Sequence, residues 1–235
     1  GTGNKWQFVK NNQYWDKKVV KLSKINYTVV SSPTTGLELY QQGKLDLTPL
    51  SNEQVKHYKG NKEFQQYPYS YVGYLKYNFK DANQTKRKAM SNKDIRLAIS
   101  LAIDRQQLTK KVLGDGSDTP TGFVASGLAK DPKTGVDFAK QQAVPNTVDY
   151  NVKLAKQHWQ KGLKALGTKN VTLTITASND DPTSNPITQY MKSELQQDLP
   201  GFKLNIRNVP GQVANQEVLK GDFDLSLSGW GAAVS

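Results

Sequence analysis

The chain has no cysteine, which excludes disulfides, thiol nucleophiles and thiolate metal sites and leaves open both an exported protein that does without disulfides and a cytosolic one. Histidine is almost as scarce, with only His57 and His158, so a histidine-rich metal centre has no raw material. His158 falls in a helical repeat, and neither histidine is expected to be catalytic or a ligand. No stretch approaches the roughly 20 apolar residues of a membrane-spanning helix. Residues 1–20 also lack the charged, apolar and small-residue order of a signal peptide, so the expectation is a soluble piece, mature or trimmed. There is no Gly-x-Ser-x-Gly elbow, and Gly114-Asp115-Gly116 with Gly122 follows a helical pattern rather than a strand, the wrong setting for a phosphate or dinucleotide loop. Asp180-Asp181 could supply paired carboxylates for acid–base work. Beside Asn179, Pro182 and Ser184 they read instead as turn and cap residues. With no base, metal or activated nucleophile in view, an enzyme is the weaker reading, and no cofactor is expected.

Arginine is the other scarcity. Formal net charge is +12 with a pI near 9.6, which invites a polyanion partner. Yet Arg87, Arg96, Arg105 and Arg207 are the only arginines among 32 cationic residues. The densest basic groups, Lys17-Lys18, Lys86-Arg87-Lys88 and Lys110-Lys111, are short and not interleaved with aromatics. Nucleic acid is therefore not expected as a partner; a solvated surface in surroundings rich in anionic polymer accounts for the charge.

What is present is enough chain for a core: 235 residues with 36% apolar composition allow one large domain or two small ones. The densest apolar stretch runs from Asn92 to Leu113 and predicts one long helix of roughly 30 Å. Asn92 is its expected N-cap, Asp94 puts negative charge in the first turn, and Gly114 or Gly116 supplies the stop. From Ile95 to Ile103 it should be covered on more than one side, and beyond Asp104 only the stripe Leu108, Val112 and Leu113 remains.

Ahead of it, Trp6 and Phe8 predict a short strand, Leu22 to Val30 a second, Pro33 to Gln42 a helix closed by Gly43, and Leu45 to Leu47 a further strand before a helix capped by Ser51, giving β-α-β order. From Phe64 to Phe79 aromatics crowd together. On one extended strand Tyr67, Tyr69, Tyr71, Leu75, Tyr77 and Phe79 share a face, expected to pack on a sheet, with Ser70, Tyr74, Lys76 and Asn78 opposite; Tyr74 or Lys76 could face a ligand. Residues 115–148 are an irregular loop too long to be idle. The last third is regular: a helix from Val152 to Leu166 ended by Gly167, a strand Val171 to Ala177, a helix from Asn185, a strand Leu204 to Val209, a helix Val213 to Leu219 and a strand Phe223 to Leu227. That series implies parallel strands, with ligands beyond their carboxyl ends, where Asn179-Asp180-Asp181 and Gly229-Trp230 lie. A tryptophan between glycines reads equally as ligand-lining or as core filler.

Five blocks in order resemble one family, the oligopeptide-binding proteins of bacterial ABC importers: Val9 to Asp16; Leu39 to Asp46; Asp94 to Arg105, with its Ala-Ile-Asp-Arg ending; Tyr150 to Gly167; and Asp222 to Trp230. The resemblance covers nearly the whole chain and implies about half of such a receptor. Its fold would be α/β of the periplasmic-binding-protein type, a lobe with a mixed, partly parallel sheet flanked by helices. Residues 1–70 would belong to the first lobe, the Tyr71 to Phe79 strand would be the crossover, and 71–235 would form most of the second, peptide-binding lobe. The resemblance also implies an extracytoplasmic, cell-surface receptor without catalysis, lipid-anchored outside this stretch, that captures oligopeptides and delivers them to a membrane permease. Tyr74, Lys76, Gly229 and Trp230 would line the groove, holding peptide main chain while side chains enter hydrated pockets. The family commonly sets an aspartate after the tryptophan to pair with the peptide's ammonium, whereas this chain reads Gly231-Ala232-Ala233-Val234-Ser235. Without a substitute, about 1.5–3 kcal/mol of charge-assisted bonding is lost. Rival readings are a receptor of the same fold for a signalling peptide, dipeptide, nickel complex or sugar, and a wall-polymer hydrolase using Asp180 or Asp181.

Overall fold

A computed structural model describes residues 5–67 and 69–232, apart from the side chains of Asn52 and Glu53. The chain divides into two compact units, residues 1–50 and 51–235.

In the first unit, β1 (Lys5–Val9) and β2 (Lys24–Thr28) pair antiparallel, with Trp6 opposite Tyr27. Their rings lie 5.3 Å apart, the kind of aromatic cross-strand pair that holds a two-stranded ribbon in register. Helix α1 (Pro33–Gln41) follows, started by Pro33 and by Ser32, whose side chain accepts from the Thr35 amide. Gly43 then turns left-handed at φ +69°. The expected strand at Leu45–Leu47 is absent; three residues between a glycine turn and Pro49 are too few to hold a ladder without a neighbour, so the β-α-β order fails here and an antiparallel hairpin stands instead.

The second unit is built on a four-stranded sheet in the order β3-β6-β4-β5, from β3 (Tyr71–Tyr77), β4 (Val171–Ser178), β5 (Phe202–Val209) and β6 (Leu225–Gly231). β4 runs parallel to β5 and β6, and β3 antiparallel to β6. The connections are α8 (Ser184–Asp198) and α9 (Gly211–Lys220), as parallel neighbours require. Helix α2 (Asn52–Tyr58) leads in, the Ser51 amide donating to the Gln54 side chain at 3.0 Å. Before the central helix lies α3 (Gln84–Ser91), and within residues 115–148 a short helix, α6 (Phe138–Gln141).

One sheet face is apolar. Leu173, Ile175, Leu204 and Leu225 are wholly buried and join Ile95, Ile99 and Leu101 of α4 (Lys93–Leu101), Trp159 of α7 (Val152–Leu166) and Leu195 of α8. Strict alternation in β4, with Thr172, Thr174, Thr176 and Ser178 between apolar residues, sends hydroxyls to the other face. Trp159 is anchored twice, its indole N–H donating to the Pro200 carbonyl at 2.7 Å and its ring set edge-on to Phe202.

The long helix expected over 92–113 begins as the sequence indicates, with the Asn92 side chain accepting from the amides of Asp94 and Ile95. It then breaks. α4 stops at Leu101, and Asp104 caps a new turn, α5 (Arg105–Gln107), by accepting from the Gln107 amide at 2.9 Å. A π-helical turn, Leu108–Leu113, ends at left-handed Gly114. The Arg105 guanidinium folds back onto the carbonyls of Ser100 and Ile103 and reaches Val148 at 3.0 Å, adding a charged donor to the carbonyls at the break. Local capping and a bonded arginine outweigh the helix propensity of Ala102 and Ile103.

Candidate functional site

The register of β3 against β6 sets the site. Val72 pairs with Trp230, Tyr74 with Ser228 and Lys76 with Ser226, while Gly73 meets Gly229 and Leu75 meets Leu227. Directly paired residues of antiparallel strands point to the same side. Tyr74, Lys76 and Trp230 therefore share one face, with Val72, Ser226 and Ser228 between them. Leu75, Tyr77 and Leu227 turn to the other face and pack on the core. The expectation that the odd-numbered aromatics all pack on a sheet holds for Tyr77 and, on one side of its ring, for the half-exposed Tyr71 against Gly229. Tyr67, Tyr69, Tyr71 and Phe79 are exposed, because the strand covers only Tyr71–Tyr77 and these rings stand at or beyond its ends.

Trp230 is 72% exposed, so it does not fill the core. The ring nearest the glycine before it is a different one: a β-carbon on Gly229 would fall within 1.7 Å of the Tyr71 hydroxyl. Gly229 thus lets Tyr71 lie flat across β6 on the side away from Trp230. Tyr71 stacks on Tyr69 at 5.9 Å; partial burial, with the Asp181 carboxylate second, pushes its phenol upward. Lys76 is exposed, its ammonium 5.9 Å from the centre of the Phe223 ring. The three side chains make an open, partly aromatic face with one cation, suited to a ligand laid across it. A cleft of about 380 Å³ lies on the first unit's hairpin, and one of about 250 Å³, lined by Asp81, Thr174, Arg207, Asp222 and Phe223, adjoins the Lys76 end of the face.

One residue at this face escaped the sequence reading. Phe123, from the long loop, stands over Tyr74 with ring centroids 5.3 Å apart. Only an isolated aromatic in a Gly/Thr-rich stretch signals it.

The carboxylates are engaged in structure. Asp180 accepts from the Gly211 amide at the start of α9 at 2.6 Å, and Asp181 from the amide and hydroxyl of Thr183, the turn and cap roles expected of them. His158 meets Asp94 at 2.7 Å between α7 and α4. A second acidic pair, Asp81 and Asp224, went unnoticed in the sequence. Asp224 takes the Lys86 ammonium at 2.6 Å and the Thr174 amide at 2.7 Å. Burial, against the opposing Asn83 amide, pushes the Asp81 carboxyl upward, with Asp224 adding to the rise. Among the described residues no group of three or more His, Cys, Asp or Glu side chains could hold a metal. What the face offers chemically is exposed aromatic surface and one cation, able to cover a ligand laid across it.

Comparison with known proteins agrees. The chain is 35% identical over 235 residues to a dipeptide-binding protein of Lactococcus lactis subsp. cremoris, covering 98% of this chain and 42% of that one. It is 28% identical to an oligopeptide-binding protein, OppA, of Bacillus subtilis, covering 94% and 39%. The solved structure of Listeria monocytogenes OppA bound to peptide matches with a TM-score of 0.89 at 38% identity, over 98% of this chain and 44% of that one. The chain thus spans about two fifths of the length of these relatives. Residues 1–235 also match, throughout, the family described as bacterial extracellular solute-binding proteins, family 5, middle part. With its α/β fold, its mixed sheet flanked by helices and this match along its whole length, the chain belongs to the family 5 extracellular solute-binding proteins.

Proposed function

We propose that this chain is part of an extracytoplasmic receptor that captures oligopeptides and passes them to an ABC permease, with Tyr74, Lys76, Gly229 and Trp230 contributing to the peptide site. One observation carries the reading: β3 and β6 present Tyr74, Lys76 and Trp230 on a single face, open at the Trp230 end. Relatives named for dipeptides and oligopeptides support the ligand class. Residues 1–70 would then derive from the first lobe and 71–235 from the second, and ligand capture would proceed by hinge closure between lobes. The receptor would sit at the cell surface on a lipid anchor lying outside these residues, and its action would be binding without catalysis.

Calorimetric titration of the full-length chain carrying these residues with a mixture of short peptides tests this. Saturable heat with micromolar or tighter affinity, weakened about tenfold or more by W230A, is expected. No heat with any peptide would remove the ligand class, and the same titration with sugars and nickel complexes would then take its place.

A further inference from the structure

The long loop 115–148 is an organised structure. The Phe123 amide donates to Gln142 Oε1 at 3.1 Å, the Thr121 hydroxyl to the Ala139 carbonyl at 3.0 Å, and Gln142 Nε2 to that same carbonyl at 2.8 Å. A β-carbon at Gly122 would stand about 2.1 Å from the Gln142 amide, so that amide packs directly on the Gly122 backbone. At the loop's far end the Ser100 hydroxyl donates to the Thr147 carbonyl at 2.5 Å, and Arg105 reaches Val148. This framework fixes a large apolar ring in the open: Phe123 is 71% exposed and covered on one side by Tyr74.

On the sheet, Tyr74 and Trp230 are diagonal neighbours on the same face, since Tyr74 pairs with Ser228 and Val72 with Trp230. Such neighbours lie roughly 7–8 Å apart at the backbone, within reach of aromatic side chains. Phe123 therefore adds to the Tyr74–Trp230 face an aromatic wall that arises on a different segment of chain. An exposed ring held by hydrogen bonds of its own segment, beside an open aromatic face, is pre-organised to cover a ligand.

We propose that Phe123, with Tyr74 and Trp230, forms an apolar subsite that takes one apolar or aromatic side chain of a bound peptide, making Phe123 a specificity-determining residue. This rests on the peptide reading above. It departs from a groove indifferent to side chains: at one position of the ligand the receptor chooses.

The test uses alanine-based pentapeptides in which each position in turn carries either Phe or Ser, titrated calorimetrically against the full-length chain and its F123A and F123L variants, with thermal unfolding recorded for each. The unsubstituted protein should prefer Phe over Ser by about tenfold at one position, the worth of one well-packed aromatic contact. F123A should bring that ratio to within about twofold, and F123L should keep part of it. An unchanged ratio in a folded F123A, or no preference at any position, overturns the subsite while leaving peptide binding intact. If the unsubstituted protein binds none of the peptides, the peptide reading itself fails and the subsite falls with it.

Discussion

Gly162 of α7 and Ile95 of α4 approach so closely that a β-carbon at position 162 would stand 2.6 Å from Ile95 Cδ1 and 3.2 Å from the Ile95 amide nitrogen. Ile95 is completely buried, so its side chain has nowhere to swing. The pairing of these helices, which share a core with the four-stranded sheet, depends on that glycine.

Gly162→Ala sets two effects against each other. Alanine favours the helix by about 1 kcal/mol, whereas overpacking a filled core costs about 1–3 kcal/mol. Because a backbone atom is among the obstacles, overpacking should win, for a net loss of about 1 kcal/mol in urea unfolding. A stabilised variant would contradict the close contact.

The same two helices carry a pH-dependent tie. Asp94 accepts from His158 at 2.7 Å and meets Lys161 at 3.3 Å. The hydrogen bond with His158, ahead of the opposing effect of burial, holds the Asp94 carboxyl below its ordinary range. A folded-state value below the unfolded one, about 3.9, gives stability that is fully present above pH of about 4 and is lost as pH falls through the folded value. Asp94→Asn should therefore flatten the acid limb of stability against pH, measured by urea unfolding between roughly pH 6 and pH 2.5. An unaltered acid limb would show that the tie contributes nothing.

At the end of α8, Asp198 is buried and its Oδ2 has no hydrogen-bond partner among the described residues. It also sits where the helix dipole disfavours negative charge. Burial first, then the charges of Asp198 and Asp104, pushes the nearby Glu194 carboxyl upward. A carboxyl whose folded value is raised costs stability above that value, and the cost disappears below the unfolded one. Asp198→Asn should accordingly stabilise the protein at neutral pH by about 0.5–1 kcal/mol, read from chemical denaturation. A loss of similar size would mean that the carboxylate has a partner at neutral pH.

Much of the second unit was legible because its signals are local and repeated. Val152, Ala155, Trp159 and Leu163 recur at helical spacing, and Gly167 ends α7 in the left-handed conformation at φ +66°. The alternation of Val171, Leu173, Ile175 and Ala177 with threonines places β4 face by face. What failed turned on competing local bonds and on neighbours that the segment alone does not announce. Ala102 and Ile103 look helical until Asp104 caps the next turn and Arg105 donates to the carbonyls at the break. Leu45–Leu47 alternates apolar and polar residues as a strand would, but no strand lies beside it.

At the candidate site, strand parity singles out Tyr74 and Lys76 and the end of the last strand Gly229 and Trp230, the resemblance assigns all four to one groove, and the sheet register places the three side chains on one face. Phe123 was out of reach because its contact with Tyr74 spans the loop, and no local pattern encodes it. The role of Gly229 is visible only in part from the sequence: spacing shows a glycine beside a tryptophan, but only the fold shows that the ring it admits belongs to Tyr71. The reading of residues 233–235 as lacking the family's aspartate lies outside the described residues.

The most direct test of the peptide face is fluorine NMR of fluorotryptophan-labelled full-length chain during a peptide titration, with Trp230 assigned through W230F. Trp159, buried and bonded to the Pro200 carbonyl, is the internal control. The Trp230 resonance should shift in step with calorimetric occupancy while that of Trp159 stays in place. Bound peptide with an unmoved Trp230 resonance would contradict the assignment of this face as the binding site.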